Sequence, residues 1–466
     1  MKNISSLSGM LRSGELTPSE LTRRCLENIK RDNPRLNALV AVTEGYAFAA
    51  AARADELIKK GEGGALAGIP FVLKDNICTK GILTTCCSRM LENYVPPYSA
   101  TVFERLESSG AVLVGKANMD EFAMGSTGHT SVFGAAVNPL CESYIAGGSS
   151  SGTAVAVAGG FVPFGIGSDT GGSVRQPAAL CSVVGFKPTY GSLSRYGLIA
   201  HASSLDTIGI ITRSVGDASL VFDCIRGRDN RDMTSAEVEP STPVKDIGNL
   251  KIGVIPQLFE SCSDEVVKAV KGVICACERV GAEVKEFDCP EFRHSLSAYH
   301  TIAAAEASSN LARYDGVRYG SPGSGKSFKE CAEYSRTNGF GREVKRRILF
   351  GTLVISGEYS GGSYKNACAV RRAISKRFED IFRECDIVLA PTVPSSHYAA
   401  GDYANGQPLP YESDFCTAPA SLAGIPAVSL PCGGTVGLQV MARRGSDLFL
   451  LAAAARIEKL NGEALS

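Results

Sequence analysis

The chain has 466 residues, of which 44% are hydrophobic and 21% are charged, so it is long enough to bury a large core. Lysine plus arginine and aspartate plus glutamate both number 48, which gives a formal net charge of zero. This balance disfavours a protein that holds nucleic acid mainly through its own charge, and the longest apolar stretch, 153–167, is too short to span a bilayer.

Two helices are predicted near the start of the chain. Thr17, Pro18 and Glu20 form a capping sequence, with proline at the first helical position and glutamate two residues after it. An alanine-rich helix is predicted over 47–60 and ends at Gly61. Residues 1–62 are therefore expected to form an N-terminal helical flank.

Short apolar runs bounded by glycine alternate with helical patterns in the rest of the chain. Runs of this length without clean alternation are typical of strands buried on both faces. The predicted strands cover residues 69–73, 111–114, 161–166, 183–186, 252–255, 387–390, 427–430 and 436–441. The predicted helices cover residues 264–280, 364–383 and 447–460. The alternation indicates an α/β fold, and since no linker or repeat divides the chain, we expect a single domain over residues 1–466.

The cysteines and histidines do not have the spacing of a metal site. None of the sixteen cysteines forms a CxxC pair, and the five histidines form no HExxH motif. We therefore predict no metal site and reduced cysteines in a cytoplasmic protein, and residues 1–14 carry no targeting signal. His129 or His201 could serve a serine–histidine mechanism, although each fits a structural role at least as well.

Two sequence motifs match formally but lack the preceding strand that each of them requires. Residues 320–327 match the P-loop pattern around Lys326, but the preceding residues 310–319 are polar and helical, whereas a P-loop follows a buried strand. A nucleotide-binding protein built on Lys326 is the alternative from another functional class. Residues 148–152 match GxSxG with Ser150 as nucleophile, but the segment before them resembles a loop where the motif needs a strand.

A lysine and two serines form the stronger hypothesis. Lys74 follows a predicted strand, Ser149 lies in the stretch GGSSSG, and Ser173 ends the stretch GGS. Serine and lysine can replace serine and histidine if the lysine is neutral, and burial lowers a lysine pKa. Asp75 would lie on the opposite side of the strand. The alternative is that Lys74 is an ion-pair partner of Asp75 or Asp169, and spacing alone does not decide between the two.

These motifs together resemble the amidase signature family. The second motif reads GSDTGGSVRQPA over residues 167–178. Further stretches resemble one branch, the A subunits of the aspartyl/glutamyl-tRNA amidotransferases, at residues 118–125, 185–191, 194–198 and 202–206. The resemblance covers almost the whole chain and implies a large mixed central β-sheet with helices on both faces.

The resemblance also implies a mechanism. Neutral Lys74 would take a proton from Ser149, held on a cis peptide, and Ser149 would take one from Ser173. Ser173 would then attack the side-chain amide of glutamine, which gives an acyl-enzyme and releases ammonia. Backbone N–H groups of three residues would form the oxyanion hole: Thr170, Gly171 and Gly172.

Substrate and partners follow from the same resemblance. Asp414 would bind the ammonium group of glutamine and Arg347 its carboxylate, with Arg346 as the alternative. Ammonia would pass to the B and C subunits of the complex, which would use ATP and Mg²⁺ on Glu-tRNA or Asp-tRNA. This chain would need no cofactor and would contact tRNA mainly through its partners.

A free-standing amidase acting on small amides is the runner-up. Such an enzyme would not need Asp414 and Arg347 to bind the two charged groups of an amino acid. The sequence also departs from the branch at three places: residues 128–131, Ser151 in place of the usual glycine, and a shortened loop between residues 431 and 439. The departures leave the three proposed catalytic residues unchanged, and the first and third bear on the pocket rim or a partner contact.

Overall fold

The computed structural model describes residues 1–240, 244, 246–320, 323, 325–356, 361–404 and 411–465. Within these residues the chain forms eleven β-strands: β1 (Leu39–Val42), β2 (Pro70–Lys74), β3 (Val112–Ala117), β4 (Phe164–Asp169), β5 (Val184–Lys187), β6 (Thr207–Thr212), β7 (Lys251–Val254), β8 (Glu283–Glu286), β9 (Ile387–Pro391), β10 (Ala427–Pro431) and β11 (Gly437–Ala442). It also forms fifteen α-helices: α1 (Ile4–Ser13), α2 (Pro18–Leu36), α3 (Glu44–Lys59), α4 (Thr101–Ser108), α5 (Ser151–Ala158), α6 (Arg175–Leu180), α7 (Val215–Ile225), α8 (Asp264–Arg279), α9 (Ser295–Asn310), α10 (Phe328–Gly339), α11 (Arg342–Ile355), α12 (Ser363–Ile381), α13 (Ala400–Ala404), α14 (Ala418–Ala423) and α15 (Asp447–Leu465).

The eleven strands form one sheet in the order β1-β3-β2-β4-β6-β5-β10-β11-β9-β7-β8. β2 runs parallel to both β3 and β4, and β7 runs parallel to both β8 and β9. The other neighbouring strands are antiparallel. The large mixed sheet implied by the sequence is therefore confirmed.

Helices cover both faces of the sheet. In β2, Phe71 and Leu73 enter a core that contains residues of α7, α8 and α15, whereas Val72 enters a second core with α2, α3 and α5. β9 alternates in the same way between the first core and a third core with α9, α12 and α14. Because successive side chains of a strand point to opposite faces, these cores lie on the two sides of the sheet. Among the described helices, none is both long enough and apolar enough to cross a membrane.

Most sequence-predicted elements are present. Each predicted strand overlaps an observed one, although the run 161–166 becomes a strand only from Phe164. The predicted capping sequence is formed, since Thr17 Oγ1 accepts a hydrogen bond from Glu20 N and Thr17 N donates to the Glu20 carboxylate. Three strands were not predicted, namely β1, β6 and β8, and the first of these lies within residues 1–62.

Two chain segments meet at the same end of the strands of the sheet. β2 and β4 are parallel neighbours, so their last residues, Lys74 and Asp169, lie at the same end of the sheet. α5 and α6 begin beside this end of the strands, at Ser151 and Arg175. The two glycine–serine stretches of the sequence are the loops that lead into these helices.

Candidate active site

Lys74 is fully buried and surrounded by serines. Its Nζ lies 2.7 Å from Ser149 Oγ, 2.9 Å from Ser150 Oγ and 3.0 Å from Ser168 Oγ. It also lies 3.2 Å from the Ser168 carbonyl oxygen. Hydroxyl oxygens accept hydrogen bonds without bringing a charge, so this environment accommodates a neutral amine.

The electrostatics of Lys74 favour the neutral amine. Burial lowers the Lys74 pKa to about 7, although Asp120, Asp169 and Asp206 at longer range oppose the shift. Within the described residues, no carboxylate lies at ion-pair distance from Lys74: Asp169 instead pairs with Arg175 at 2.9 Å. The hypothesis that Lys74 is an ion-pair partner of Asp75 or Asp169 is therefore wrong.

The serine loops are joined to each other and to Lys74. The peptide bond between Gly148 and Ser149 is cis. The neighbouring Ser150 N donates to the Ser173 carbonyl oxygen at 3.0 Å, which holds the two loops together. Within the described residues, no side chain hydrogen-bonds Ser173 Oγ. The structure thus links Lys74 to Ser149 directly and shows no Ser149–Ser173 hydrogen bond.

The loop before Ser173 presents backbone N–H groups. No hydrogen-bond partner for the amides of residues 170–173 lies among the described residues. The Thr170 hydroxyl donates to Asp206 Oδ1 at 2.7 Å, which holds the start of the loop. At Gly171 an added Cβ would lie 2.3 Å from Tyr299 Cζ, so only glycine fits beneath the tyrosine ring. Free amides at a fixed position are the donors that an oxyanion hole requires.

A buried arginine that the sequence analysis missed fixes the same loop. Arg175 pairs with Asp169 through two hydrogen bonds, of 3.0 Å from Nε and 2.9 Å from Nη2. Its Nη1 donates to Gln439 Oε1 at 2.6 Å and to the Thr417 carbonyl oxygen at 3.0 Å. Arg175 stands two positions after Ser173, which is a signal for a role near the nucleophile. Its partners on β11 and before α14 are visible only in the folded chain.

The two residues predicted to bind the substrate lie on separate elements. Asp414 ends a short 3-10 helix, and a Cβ at Gly172 would lie 3.4 Å from its Oδ1, so this carboxylate adjoins the loop of Ser173. Burial raises the Asp414 pKa to about 7, and nearby Arg347 partly opposes this shift. Arg347 is buried on α11, and its Nε donates to Glu343 at 2.7 Å.

Arg346 is less suited to the site than Arg347. Its side chain is 49% exposed, against 6% for Arg347, and it pairs with the same Glu343. Both arginines nevertheless line a cavity of about 210 Å³, together with His300, Ala304, Phe350 and Tyr411. The cavity adjoins the helix of Asp414 through Tyr411.

Two departures from the family pattern contact each other. A Cβ at Gly128 would lie 2.9 Å from the Ser151 Cβ, so glycine at the first position accommodates serine at the second. Gly128 N and Thr130 N donate to the Asp120 carboxylate at 3.0 and 3.1 Å. The third departure is a tight hairpin between β10 and β11, where Cys432 N donates to the Val436 carbonyl oxygen.

The weaker sequence hypotheses find little support in the geometry. Ser150 is buried against Lys74 and Ser168, and no strand precedes it, as expected for a residue that is not the nucleophile. Neither His129 nor His201 hydrogen-bonds a residue of the proposed triad. The P-loop pattern lies partly outside the described residues, and what precedes it is α9 and a 3-10 helix, not a strand. Its Ser327 caps α10.

The chain is similar to known proteins over almost its whole length. A family model described as Amidase matches residues 20–451. The A subunit of glutamyl-tRNA(Gln) amidotransferase from Caldanaerobacter subterraneus subsp. tengcongensis is 46% identical over 468 residues, which cover 98% of this chain and 96% of that protein. The protein of the same name from Staphylococcus haemolyticus is 44% identical, with 95% and 93% covered.

The fold is also similar to those of solved structures. The crystal structure of the A subunit of glutamyl-tRNA(Gln) amidotransferase from Thermotoga maritima matches with a TM-score of 0.78 and 39% identity, covering 95% of this chain and 91% of that chain. The native peptide amidase from Stenotrophomonas maltophilia matches with a TM-score of 0.82 and 28% identity, covering 99% and 97%. The fold is therefore shared more widely than the sequence.

Proposed function

The chain belongs to the amidase family, and from that premise we propose that it is the glutamine-hydrolysing subunit of a tRNA-dependent amidotransferase. The observation that carries the proposal is the likeness to the A subunit of glutamyl-tRNA(Gln) amidotransferase over 98% of the chain. The opposite charges of Asp414, which adjoins Gly172, and of the buried Arg347 support it, because free glutamine carries both an ammonium and a carboxylate group.

The proposed reaction uses Lys74, Ser149 and Ser173. Neutral Lys74 accepts the Ser149 hydroxyl proton, and Ser149 accepts the proton of Ser173 as Ser173 Oγ attacks the amide carbon. The amides of Thr170, Gly171 and Gly172 stabilise the negative charge on the carbonyl oxygen. The C–N bond then breaks, and the proton returns from the lysine side to the leaving nitrogen, which departs as ammonia. Water hydrolyses the resulting ester to glutamate and restores Ser173.

Asp414 and Arg347 select glutamine among amides. The Asp414 carboxylate binds the substrate ammonium group and Arg347 binds the carboxylate, so that the side-chain amide reaches Ser173. Arg347 is preferred over Arg346 because it is buried and held in place by Glu343. A buried ion pair between substrate and enzyme discriminates strongly against amides that lack one of the charges.

The ammonia is used in a complex. The name of the relatives points to Glu-tRNA(Gln) as the acceptor. The family resemblance of the sequence adds two partners, the B and C subunits, which receive the ammonia and hold the tRNA. ATP and Mg²⁺ act in one of these partners, and the complex works in the cytoplasm. The zero net charge of this chain is consistent with tRNA contacts that lie mainly outside it.

Ammonia release from glutamine tests the proposal. The purified chain, alone and with its partner subunits, is expected to release ammonia, and Ser173→Ala is expected to release none while keeping its fold. Ser108→Ala, at an exposed serine on α4, is the matched control and is expected to behave as wild type. If wild type cleaves simple amides through Ser173 but leaves glutamine intact, the chain is a free-standing amidase instead.

A further inference from the structure

His300 has an unused hydrogen-bonding atom at the edge of the proposed substrate site. Its ring lies between two tyrosines, with centroids 4.9 Å from the Tyr299 ring and 4.8 Å from the Tyr411 ring. Within the described residues, its Nε2 is buried and has no hydrogen-bond partner. A buried polar atom without a partner destabilises the protein, and a ligand that bonds to it recovers this free energy.

The two tyrosines connect His300 to the reaction loop. The Tyr299 ring covers Gly171, and Tyr411 begins the 3-10 helix whose last residue, Asp414, adjoins Gly172. The ring of His300 therefore stands between the two elements that border the loop of Ser173.

Arg347 also has unused donors at this place. Its Nε is bonded to Glu343, but no described residue hydrogen-bonds its two terminal nitrogens. Its guanidinium carbon lies 5.8 Å from the centroid of Tyr411, the ring that His300 contacts edge-on. Arg347 and His300 both line the 210 Å³ cavity. The same cavity is therefore lined by the terminal nitrogens of Arg347 and by His300 Nε2, none of which hydrogen-bonds a described residue.

The charges around His300 keep its ring neutral. Burial lowers the His300 pKa to about 3, and Arg347 and Arg346 lower it further, while Glu343 opposes them. The remaining titratable groups nearby are the two tyrosines and His201, itself buried with a lowered pKa. A neutral imidazole carries one N–H donor and adds no charge. Arg346 also lines the cavity, but it is half-exposed and pairs with Glu343 and Tyr411. Arg347 and the neutral His300 therefore place a cationic donor beside a neutral one, which matches the two oxygens of a single carboxylate.

We propose that His300 is a further glutamine-binding residue, whose imidazole donates a hydrogen bond to one oxygen of the α-carboxylate while Arg347 binds the other. The proposal rests on the proposed function and specifies its carboxylate subsite. His300 takes no part in proton transfer to or from the amide, so it affects binding rather than the chemical step. Its contribution depends on the carboxylate and is absent for a substrate that lacks this group.

The test compares two substrates in the complex with its partner subunits. His300→Phe keeps a ring between the tyrosines and removes both nitrogens. With glutamine, KM is expected to rise about tenfold with kcat nearly unchanged, which is the loss of one hydrogen bond to a charged group. With glutaminamide, in which a neutral amide replaces the α-carboxylate, wild type and variant are expected to have the same KM. His300→Gln, which can place a donor near the Nε2 position, is expected to recover part of the loss.

His294→Phe is the matched control, because this exposed histidine lies just before the same helix, α9. It is expected to behave as wild type with both substrates. An unchanged KM for glutamine in His300→Phe, or an equal rise for both substrates, would overturn the inference and leave the proposed function intact. A wild-type complex that does not hydrolyse glutamine would overturn the proposed function, and the inference with it.

Discussion

Asp75 directs its carboxylate away from its neighbour Lys74 and toward Lys116, whose Nζ lies 3.6 Å from Asp75 Oδ1. Both partners of this pair are buried, and Lys116 Nζ also donates to Thr84 Oγ1 at 2.7 Å. Asp75 Oδ2 accepts a hydrogen bond from Thr85 N at 2.9 Å. The negative charge next to Lys74 is thereby satisfied by other groups, which leaves Lys74 in an environment of hydroxyls.

Lys116→Met is expected to destabilise the fold. It leaves Asp75 buried without its counter-charge, and loss of one partner of a buried ion pair costs about 3–5 kcal/mol. Urea unfolding followed by circular dichroism measures the loss. The double variant Asp75→Asn/Lys116→Met is expected to lose less than Lys116→Met alone. Lys59→Met, at an exposed pair with Asp55, should change stability by less than about 1 kcal/mol; a similar loss at both sites would contradict the buried-pair argument.

The kcat for glutamine hydrolysis is expected to rise with pH and to level off above about pH 7. Burial lowers the Lys74 pKa to about 7, and only the unprotonated amine accepts a proton. Below that pH the protonated fraction grows, so kcat falls about tenfold for each unit. End-point assays of released ammonia between pH 5 and 9 measure how kcat depends on pH. A kcat that stays constant down to pH 5 would show that Lys74 is not the base.

KM for glutamine is expected to rise as the pH falls below about 7. Burial raises the Asp414 pKa to about 7, so at lower pH the free protein holds a neutral acid that no longer attracts the substrate ammonium group. Asp414→Asn should raise KM by about tenfold or more and remove this pH dependence. Because the role proposed for Lys74 affects kcat and the role proposed for Asp414 affects KM, full kinetics at each pH separate the two. An unchanged pH dependence of KM in Asp414→Asn would exclude the assigned role.

Gly148→Ala is expected to abolish ammonia release and to destabilise the fold by about 1–3 kcal/mol or more. The added Cβ would lie 2.0 Å from Asp120 Oδ2 and 2.9 Å from Gly128 N, so the loop that carries Ser149 must move. Gly9→Ala on α1 is the control, because its Cβ would have no atom within 4 Å. It should leave activity unchanged and stabilise the fold by about 0.5–1 kcal/mol. Wild-type activity in Gly148→Ala would contradict the tight packing of this loop.

Two of the three strands that were not predicted, β8 and β1, lack a long apolar run, whereas the third, β6, is fully buried. β8 reads Glu-Val-Lys-Glu at the edge of the sheet, where solvent covers most of its side chains. β1 is only four residues long in a segment with helical patterns on both sides. The omission of β6 has no structural reason, since its Gly209 has a counterpart in predicted runs such as 183–186, which contains Gly185. Edge exposure and short length remove the hydrophobic signal on which strand prediction depends.

Some residues of the candidate site could be predicted from the sequence and others could not. Lys74, Ser149 and Ser173 lie in recognisable motifs, so their local sequence is enough to propose them. Arg175 and His300 depend on contacts between distant segments; the Arg175–Gln439 hydrogen bond, for example, joins residues 264 positions apart. Such contacts are set by the packing of the sheet and of α9 against α11, which periodicity and spacing do not encode.

The proposed chemistry and the proposed selectivity come from opposite halves of the chain. Lys74, Ser149 and Ser173 precede β5, whereas His300, Arg347 and the 3-10 helix of Asp414 follow β8. New side chains in the second half can therefore change the accepted amide while the first half keeps its bond-cleaving machinery. Because of this separation, substitutions in one half of the chain can change the substrate while the catalytic residues in the other half stay the same.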